Sequence, residues 1–306
     1  MKIVFMGTPV FAVSSLEAIL DRGDKIELVI TQEDKPRDRG KKIQMPAVKE
    51  KALEMGLEVY QPKSIKSDEA YEKLLKIQPD LIVVTAYGQI IPKRILDLPK
   101  YGCINVHASL LPKYRGAAPI NFVLINGEKT TGITTMYMAE GLDTGDMILM
   151  DSIEIEDADN AATLHDKLAL LSKKTLVETL DLIEEGKAPR TPQNDSESTY
   201  APLIKKDMGK INFANPAEDI VNLSRGIAVF STYRGENVKL FNLTKGKKTN
   251  STEFGKIESI NPDNIEIIAG GHTVKVHDIQ FPNKKRMKVL DFLKGNQLDS
   301  SLKFGD

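Results

Sequence analysis

The feature that most restricts the fold is a set of short apolar stretches alternating with segments expected to be helical. Lys2–Met6 (KIVFM), Ile26–Ile30 (IELVI), Leu81–Thr85 (LIVVT) and Cys103–His107 (CINVH) read as buried strands. Between the first two, Val10 to Leu20 carries helical spacing, with Thr8 placed to N-cap and Pro9 at the first helical position. Residues 31–45 are polar, charged and loop-like, and the next helix is expected near Pro46. Strands alternating with helices over about 150 residues predict an α/β fold of βαβ units, a Rossmann-like, mostly parallel sheet. Such sheets bind ligands outside the carboxyl ends of their strands.

The texture changes further along. Ala161 to Glu185 predicts one long amphipathic helix, and the stretch GKAPRTPQNDSESTYAP after it reads as a linker. Beyond 207, a helix near 216–227 precedes short alternating segments, NVKLFNL, FGKIESI, NIEIIA and HTVKVHDIQ, punctuated by Gly, Asn and Pro. This pattern predicts a small OB-like β-barrel. The expected organisation is a domain at 1–188, a linker at 189–206 and a C-terminal barrel at 207–306.

Composition sets the outer limits. With 306 residues, 41% apolar and 28% charged, the chain suits one or two soluble globular domains. No apolar run approaches the ~20 residues of a membrane span. The opening MKIVFMGTPVFAV breaks at Gly7, Thr8 and Pro9, so it reads as a strand turning into a helix rather than a signal peptide. One cysteine, Cys103, excludes an internal disulfide and suits the reducing cytoplasm. With only four histidines beside it, a Cys-rich zinc site is excluded, and no metal is expected. Net charge is −1, but 207–306 holds 15 Lys and Arg against 12 Asp and Glu, while the rest holds 27 against 31. A basic C-terminal part behind an acidic one is a hint of a polyanionic partner.

The densest chemical signal is INVHASLLPKYRGAAPI, 104–120. Asn105 and His107 are two apart at the end of a strand, so both side chains point to one face. A carboxamide beside an imidazole offers an oxyanion donor and a proton acceptor, although spacing alone favours a structural pair that caps a loop. GLDTGDMI, 141–148, holds two acids in a Gly-punctuated loop. It is either an Asx-turn or a carboxylate, Asp143, that orients His107 and fixes its tautomer. KPRDRGKK, 35–42, holds Lys35, Arg37, Arg39, Lys41 and Lys42 against one acid. It is a solvated charge run or a set of phosphate contacts. The MGTP turn lacks a G-x-G-x-x-G fingerprint, which argues against a nicotinamide cofactor. His165, His272 and His277 fall within regular elements and read as structural, and Cys103 reads as core.

FMGTPVFA (5–12), TQEDKPRDRGKK (31–42), INVHASLLPKYRGAAPIN (104–121), GLDTGDM (141–147) and GKINF (209–213) resemble, in order, the methionyl-tRNA formyltransferase family. The resemblance covers nearly the whole chain. It implies formyl transfer from 10-formyltetrahydrofolate to the amino group of methionyl initiator tRNA, by a cytoplasmic monomer needing no DNA and no membrane. It further implies Asn105, His107 and Asp143 as a catalytic trio, and Ser109, Leu110, Leu111, Pro112, Lys113, Tyr114, Arg115 and Gly116 as the loop shaping the folate site. Gly7 to Phe11 would lie beside the methionyl end, and Lys35, Arg37, Arg39, Lys41 and Lys42 along the tRNA acceptor stem. GIAVFSTYRG (226–235) and Asn212-Phe213, in a chain without Trp, depart from the family's pattern in the C-terminal domain. An amino-sugar nucleotide as acceptor, or a non-catalytic RNA-binding protein on this scaffold, are the alternatives.

Overall fold

A computed structural model describes residues 1–37 and 42–305. The chain divides into two compact units. The first comprises Met1–Pro119, Thr130–Ile155 and Ala162–Ala201, and the second Ile120–Lys129, Glu156–Ala161 and Pro202–Asp306.

The first unit begins with strand β1 (Lys2–Gly7), helix α1 (Val10–Asp21) and β2 (Lys25–Ile30). A hairpin of β3 (Lys35–Arg37) and β4 (Lys42–Gln44) leads to α2 (Ala47–Glu54), β5 (Val59–Tyr60) and α3 (Asp68–Ile77). Then come β6 (Leu81–Thr85), α4 (Lys93–Leu96), β7 (Cys103–His107), β8 (Arg115–Gly116) and α5 (Pro119–Ile125), the last running into the second unit. The antiparallel pair β9 (Thr130–Tyr137) and β10 (Met147–Glu154), the long α6 (Ala161–Glu184) and a short β11 (Tyr200–Ala201) complete it. Its seven-stranded sheet has the order β10-β9-β7-β6-β1-β2-β5. The five strands from β7 to β5 are parallel, and β9 and β10 extend the sheet in antiparallel fashion.

Helices cover both faces, which is why β1 and β6 read as continuous apolar runs. On one face Val4, Met6, Leu28, Ile30, Ile82, Val84 and Cys103 form a core with Ile65, Leu74 and Ile95. The chain winds outward from β1 through β2 to β5, then returns to β6 on the other side of β1. The order therefore reverses between β1 and β6, the place where such sheets leave a crevice at the strands' carboxyl ends.

The second unit holds α7 (Ala217–Gly226), then β12 (Val229–Tyr233), the 13-residue β13 (Glu236–Lys248), β14 (Ile257–Ile260), β15 (Ile265–Ile268), β16 (His272–Gln280), β17 (Met287–Lys288) and α8 (Val289–Phe292). Its antiparallel sheet follows the order β12-β13-β16-β15-β14, with β17 paired to β16, consistent with a small barrel. Alternation in β13 buries Val238, Leu240 and Leu243, while Lys239 and Lys245 remain exposed. Inward residues of β15 and β16 join α7 and α8 in one core with Phe213 and Phe304.

Two expectations for the first unit need correction. Thr8 does not cap α1, which starts after Pro9 without a side-chain cap. Its hydroxyl donates instead to the carbonyl of Tyr87, 2.8 Å away, a bond that ties the ends of β1 and β6 together. The segment 31–45 is not simply a loop: Lys35, Pro36 and Arg37 pair with Gln44, Ile43 and Lys42. Its charges gave no period-2 pattern with an apolar face, so the hairpin was invisible to hydrophobic periodicity.

Candidate active site

Strand β7 delivers Asn105 and His107 to the same side of the sheet as Cys103, just past the apolar core that covers the strand's start. The turn between β9 and β10 lies over that side and supplies Asp143. This turn is tight: a Cβ on Gly145 would stand 1.7 Å from the carbonyl oxygen of Tyr137, so no side chain fits there. Asp143 itself has φ +53°, the left-handed region that favours glycine.

The three side chains meet. Asn105 Nδ2 donates to Asp143 Oδ1 at 3.2 Å, and the Gly116 amide donates to Asp143 Oδ2 at 2.8 Å. His107 Nδ1 stands 3.7 Å from Asp143 Oδ2, with both side chains largely buried, 6% and 12% exposed. That separation is too long for a direct hydrogen bond. The other ring nitrogen, Nε2, is 2.9 Å from the carbonyl oxygen of Tyr114. A carbonyl only accepts, so Nε2 carries the proton. A backbone carbonyl rather than Asp143 therefore selects the tautomer of the neutral ring, in which the lone pair at Nδ1 faces the carboxylate.

The loop Ser109–Gly116 wraps this arrangement. The Ser109 hydroxyl donates to the Lys113 carbonyl at 2.7 Å, closing the loop on itself. Thr134 of β9 holds its base, donating to the Ser109 carbonyl at 2.7 Å and accepting from the Leu111 amide at 3.1 Å. Leu110 and Pro112 are half-buried, Leu111 and Tyr114 are buried, and Lys113 is exposed. The peptide between Leu111 and Pro112 is cis. Arg115 points its guanidinium inward, 2% exposed, to Gln193 and Asp195. Gly116 has φ +114°, and a Cβ there would meet the Ala201 carbonyl at 2.8 Å.

Gly7 ends β1, two strands from β7, about 10 Å by strand spacing. Phe11 is buried, its ring edge-on to His165 at 5.5 Å between centroids. The basic segment is rooted beside this turn. Lys49 pairs with Asp34 at 2.8 Å, Gln61 donates to the Gln32 carbonyl, and the Val48 amide donates to the Thr8 carbonyl at 3.4 Å. Lys35 is exposed at the start of β3, and Arg37 and Lys42 pair across the hairpin. Arg39 and Lys41 lie outside the described residues.

Sequence reading missed the side chains behind the trio: Thr134, Gln193 and Thr199. Gln193 and Thr199 fall in the stretch that composition marks as linker, yet 190–201 belongs to the first compact unit. Its polar side chains satisfy buried backbone groups, a role without periodicity. Among the described residues no three His, Cys, Asp or Glu side chains gather as a metal site would require, and no helix is long and apolar enough to cross a membrane.

A family model described as formyl transferase matches residues 1–180, and that of the formyl transferase C-terminal domain matches 203–297. The chain thus falls in the formyl transferase class. The methionyl-tRNA formyltransferases of Clostridioides difficile and Alkaliphilus oremlandii are each 48% identical to this chain, over 309 and 310 aligned residues, covering 100% of both chains. The chain belongs to the methionyl-tRNA formyltransferase family. Among solved structures, an N-formyltransferase from Helicobacter canadensis in complex with folinic acid and dTDP-3-aminofucose superposes with a TM-score of 0.67. It is 20% identical, covering 90% of this chain and 98% of that one. HypX from Aquifex aeolicus in complex with tetrahydrofolic acid gives a TM-score of 0.62 at 16% identity, over 99% of this chain and 50% of that one. At these identities the two structures speak for the fold.

Proposed function

We propose that this protein transfers the formyl group of 10-formyltetrahydrofolate to the amino group of methionyl initiator tRNA, with Asn105, His107 and Asp143 as its catalytic side chains. The observation that carries the chemistry is the convergence of a carboxamide, an imidazole and a carboxylate at the carboxyl end of β7. The acceptor rests on the full-length similarity to methionyl-tRNA formyltransferases.

The neutral amine attacks the formyl carbon, forming a C–N bond and a tetrahedral oxyanion whose new nitrogen is positively charged. Asn105 has two amide protons. One is used on Asp143, and the second is available to the oxyanion. A donor of this kind is worth ~3–4 kcal/mol where it has been removed elsewhere. The proton of the charged nitrogen passes to the free lone pair at His107 Nδ1, and the resulting imidazolium is stabilised by the Asp143 carboxylate beside it. Collapse of the intermediate breaks the bond to the folate nitrogen, which takes up that proton. Ser109–Gly116 shapes the folate side of the site. Gly7 to Phe11 lies on the acceptor side, with the basic segment from Lys35 through Arg37, Arg39, Lys41 and Lys42 along the RNA. We assign catalysis to 1–188 and tRNA contacts behind the acceptor stem to 207–306, in a monomer that works in the cytoplasm without DNA or membrane.

The test is formyl transfer from 10-formyltetrahydrofolate to methionyl initiator tRNA, with methionyl elongator tRNA and an amino-sugar nucleotide as parallel acceptors. Turnover on the initiator alone is expected. Turnover on the sugar alone would keep the trio and discard the tRNA, and folded protein inactive on all three would discard the enzyme.

A further inference from the structure

Two non-glycine residues beside the candidate site hold left-handed backbone angles, Tyr114 at φ +60° and Asp143 at φ +53°. Conformations of this kind persist where surrounding contacts over-determine them. Both sit in loops, one after β7 and one between β9 and β10, and each brings one element to the other: the Tyr114 carbonyl holds His107, and Asp143 accepts from Asn105 and Gly116. The contacts that hold the two loops come largely from one stretch of chain, 191–201.

That stretch is pinned at both ends. Thr191 forms an antiparallel bridge with Met147, with bonds of 3.0 and 2.9 Å, at the foot of the Asp143 turn. At the other end β11 pairs in parallel with β8, and the Ala201 carbonyl accepts from Ala117 at 2.9 Å. Thr199 grips the Tyr114 region from both sides: its hydroxyl accepts from the Tyr114 amide and its carbonyl from the Arg115 amide, each at 2.9 Å. Between these anchors stands Gln193. Its amide nitrogen donates to the carbonyls of Asp143 and Gly145 at 2.9 and 2.8 Å, and its amide oxygen accepts from Arg115 Nε and Nη2 at 3.1 and 2.8 Å. The carboxamide has one orientation, because a guanidinium only donates and a carbonyl only accepts. Arg115 is held in turn by Asp195 at 2.7 Å. One side chain therefore spans both loops.

We propose that 191–201 is a strap that sets Asp143 against His107, with Gln193 as its positioning residue. It touches no reacting atom. It fixes the spacing between the carboxylate and the imidazole, and so acts on rate rather than on substrate affinity. The proposal rests on the reading of Asn105, His107 and Asp143 as the catalytic trio.

Gln193→Glu separates the strap's two halves. A glutamate carboxylate keeps the bonds from Arg115 but cannot donate to the Asp143 and Gly145 carbonyls. Gln193→Leu removes both halves. Steady-state formyl transfer to methionyl initiator tRNA is measured for both variants and for Asp143→Asn, together with KM for each substrate and the thermal midpoint. A misplacement near 1 Å costs about 100-fold in rate, so both Gln193 variants are expected to lose about 10- to 100-fold in kcat with each KM within about twofold of wild type. Gln193→Glu should keep the higher midpoint of the two. Should Gln193→Leu fail to fold, Gln193→Glu alone decides. Wild-type kcat in Gln193→Glu beside a dead Asp143→Asn would overturn the strap and leave the trio standing. A collapse of kcat, KM and midpoint together in Gln193→Glu would overturn it as a merely structural contact. A wild-type rate in Asp143→Asn would overturn the trio, and the strap with it.

Discussion

The Tyr114 carbonyl oxygen accepts a hydrogen bond from Nε2 of His107 across 2.9 Å, while Nδ1 of the same ring stands 3.7 Å from Asp143 Oδ2. The nitrogen turned to the carboxylate is thus the one without a proton in the neutral ring. Nitrogen-15 spectra of labelled protein at alkaline pH should show His107 as the Nε2–H tautomer. An Nδ1–H tautomer would contradict the proton route through Nδ1.

Asn105 is half-buried, and its amide bridges toward Asp143. Replacing it with alanine removes the proposed oxyanion donor and leaves the sheet intact, because the backbone pairing of β7 with β6 and β9 does not use the side chain. Asn105→Ala should lower kcat by about 100- to 1,000-fold with a thermal midpoint close to wild type. A rate within a few-fold of wild type would remove Asn105 from the chemistry.

The parallel sheet was legible because its strands are buried on both faces, so KIVFM and LIVVT announce themselves as apolar runs. Asn105 and His107 could be placed on one face from the pleat alone, and the motif order marked the family. The hairpin of β3 and β4 was not legible, since KPR and KIQ are too short and too polar to carry a hydrophobic period. Nor was Gln193: its partners are carbonyls and a guanidinium brought near it only by the fold. Composition marked its Pro, Ser, Thr and Asn neighbours as a linker, yet those residue types also satisfy buried backbone in an ordered, non-repeating segment.

Glu17 of α1 joins three helices by pairing with Lys51 of α2 at 3.0 Å and with Lys173 of α6. The hydrogen bond from Lys173, then that from Lys51, holds its carboxyl below the ordinary value of 4.5. A depressed folded-state value means the pair stabilises fully above the unfolded value and is lost as pH falls through the folded one. Glu17→Gln should therefore melt below wild type near neutral pH, with the gap closing as the pH drops from about 5 to about 3. A gap that stays constant or widens over that range would show that the charge of Glu17 contributes nothing.

The basic segment 35–42 has a charge whose effect on RNA binding is measurable. The segment just before β3 is fixed by Lys49, Asp34 and Gln61 beside the carboxyl end of β1, and five cations lie within eight residues of sequence. If these cations meet the phosphates of the acceptor stem, each contact releases a counterion, and the logarithm of the binding constant falls linearly with the logarithm of salt concentration. The slope is about 0.7–0.9 per contact. Replacing Arg39, Lys41 and Lys42 together with Ala should flatten the salt dependence of tRNA binding by about 2–3 in slope. Transfer at saturating tRNA should keep much of its rate, because the trio is untouched. An unchanged slope with unchanged affinity would make the segment a solvated charge run, and RNA positioning would then fall to the lysines of β13 and the turn Lys284–Lys288.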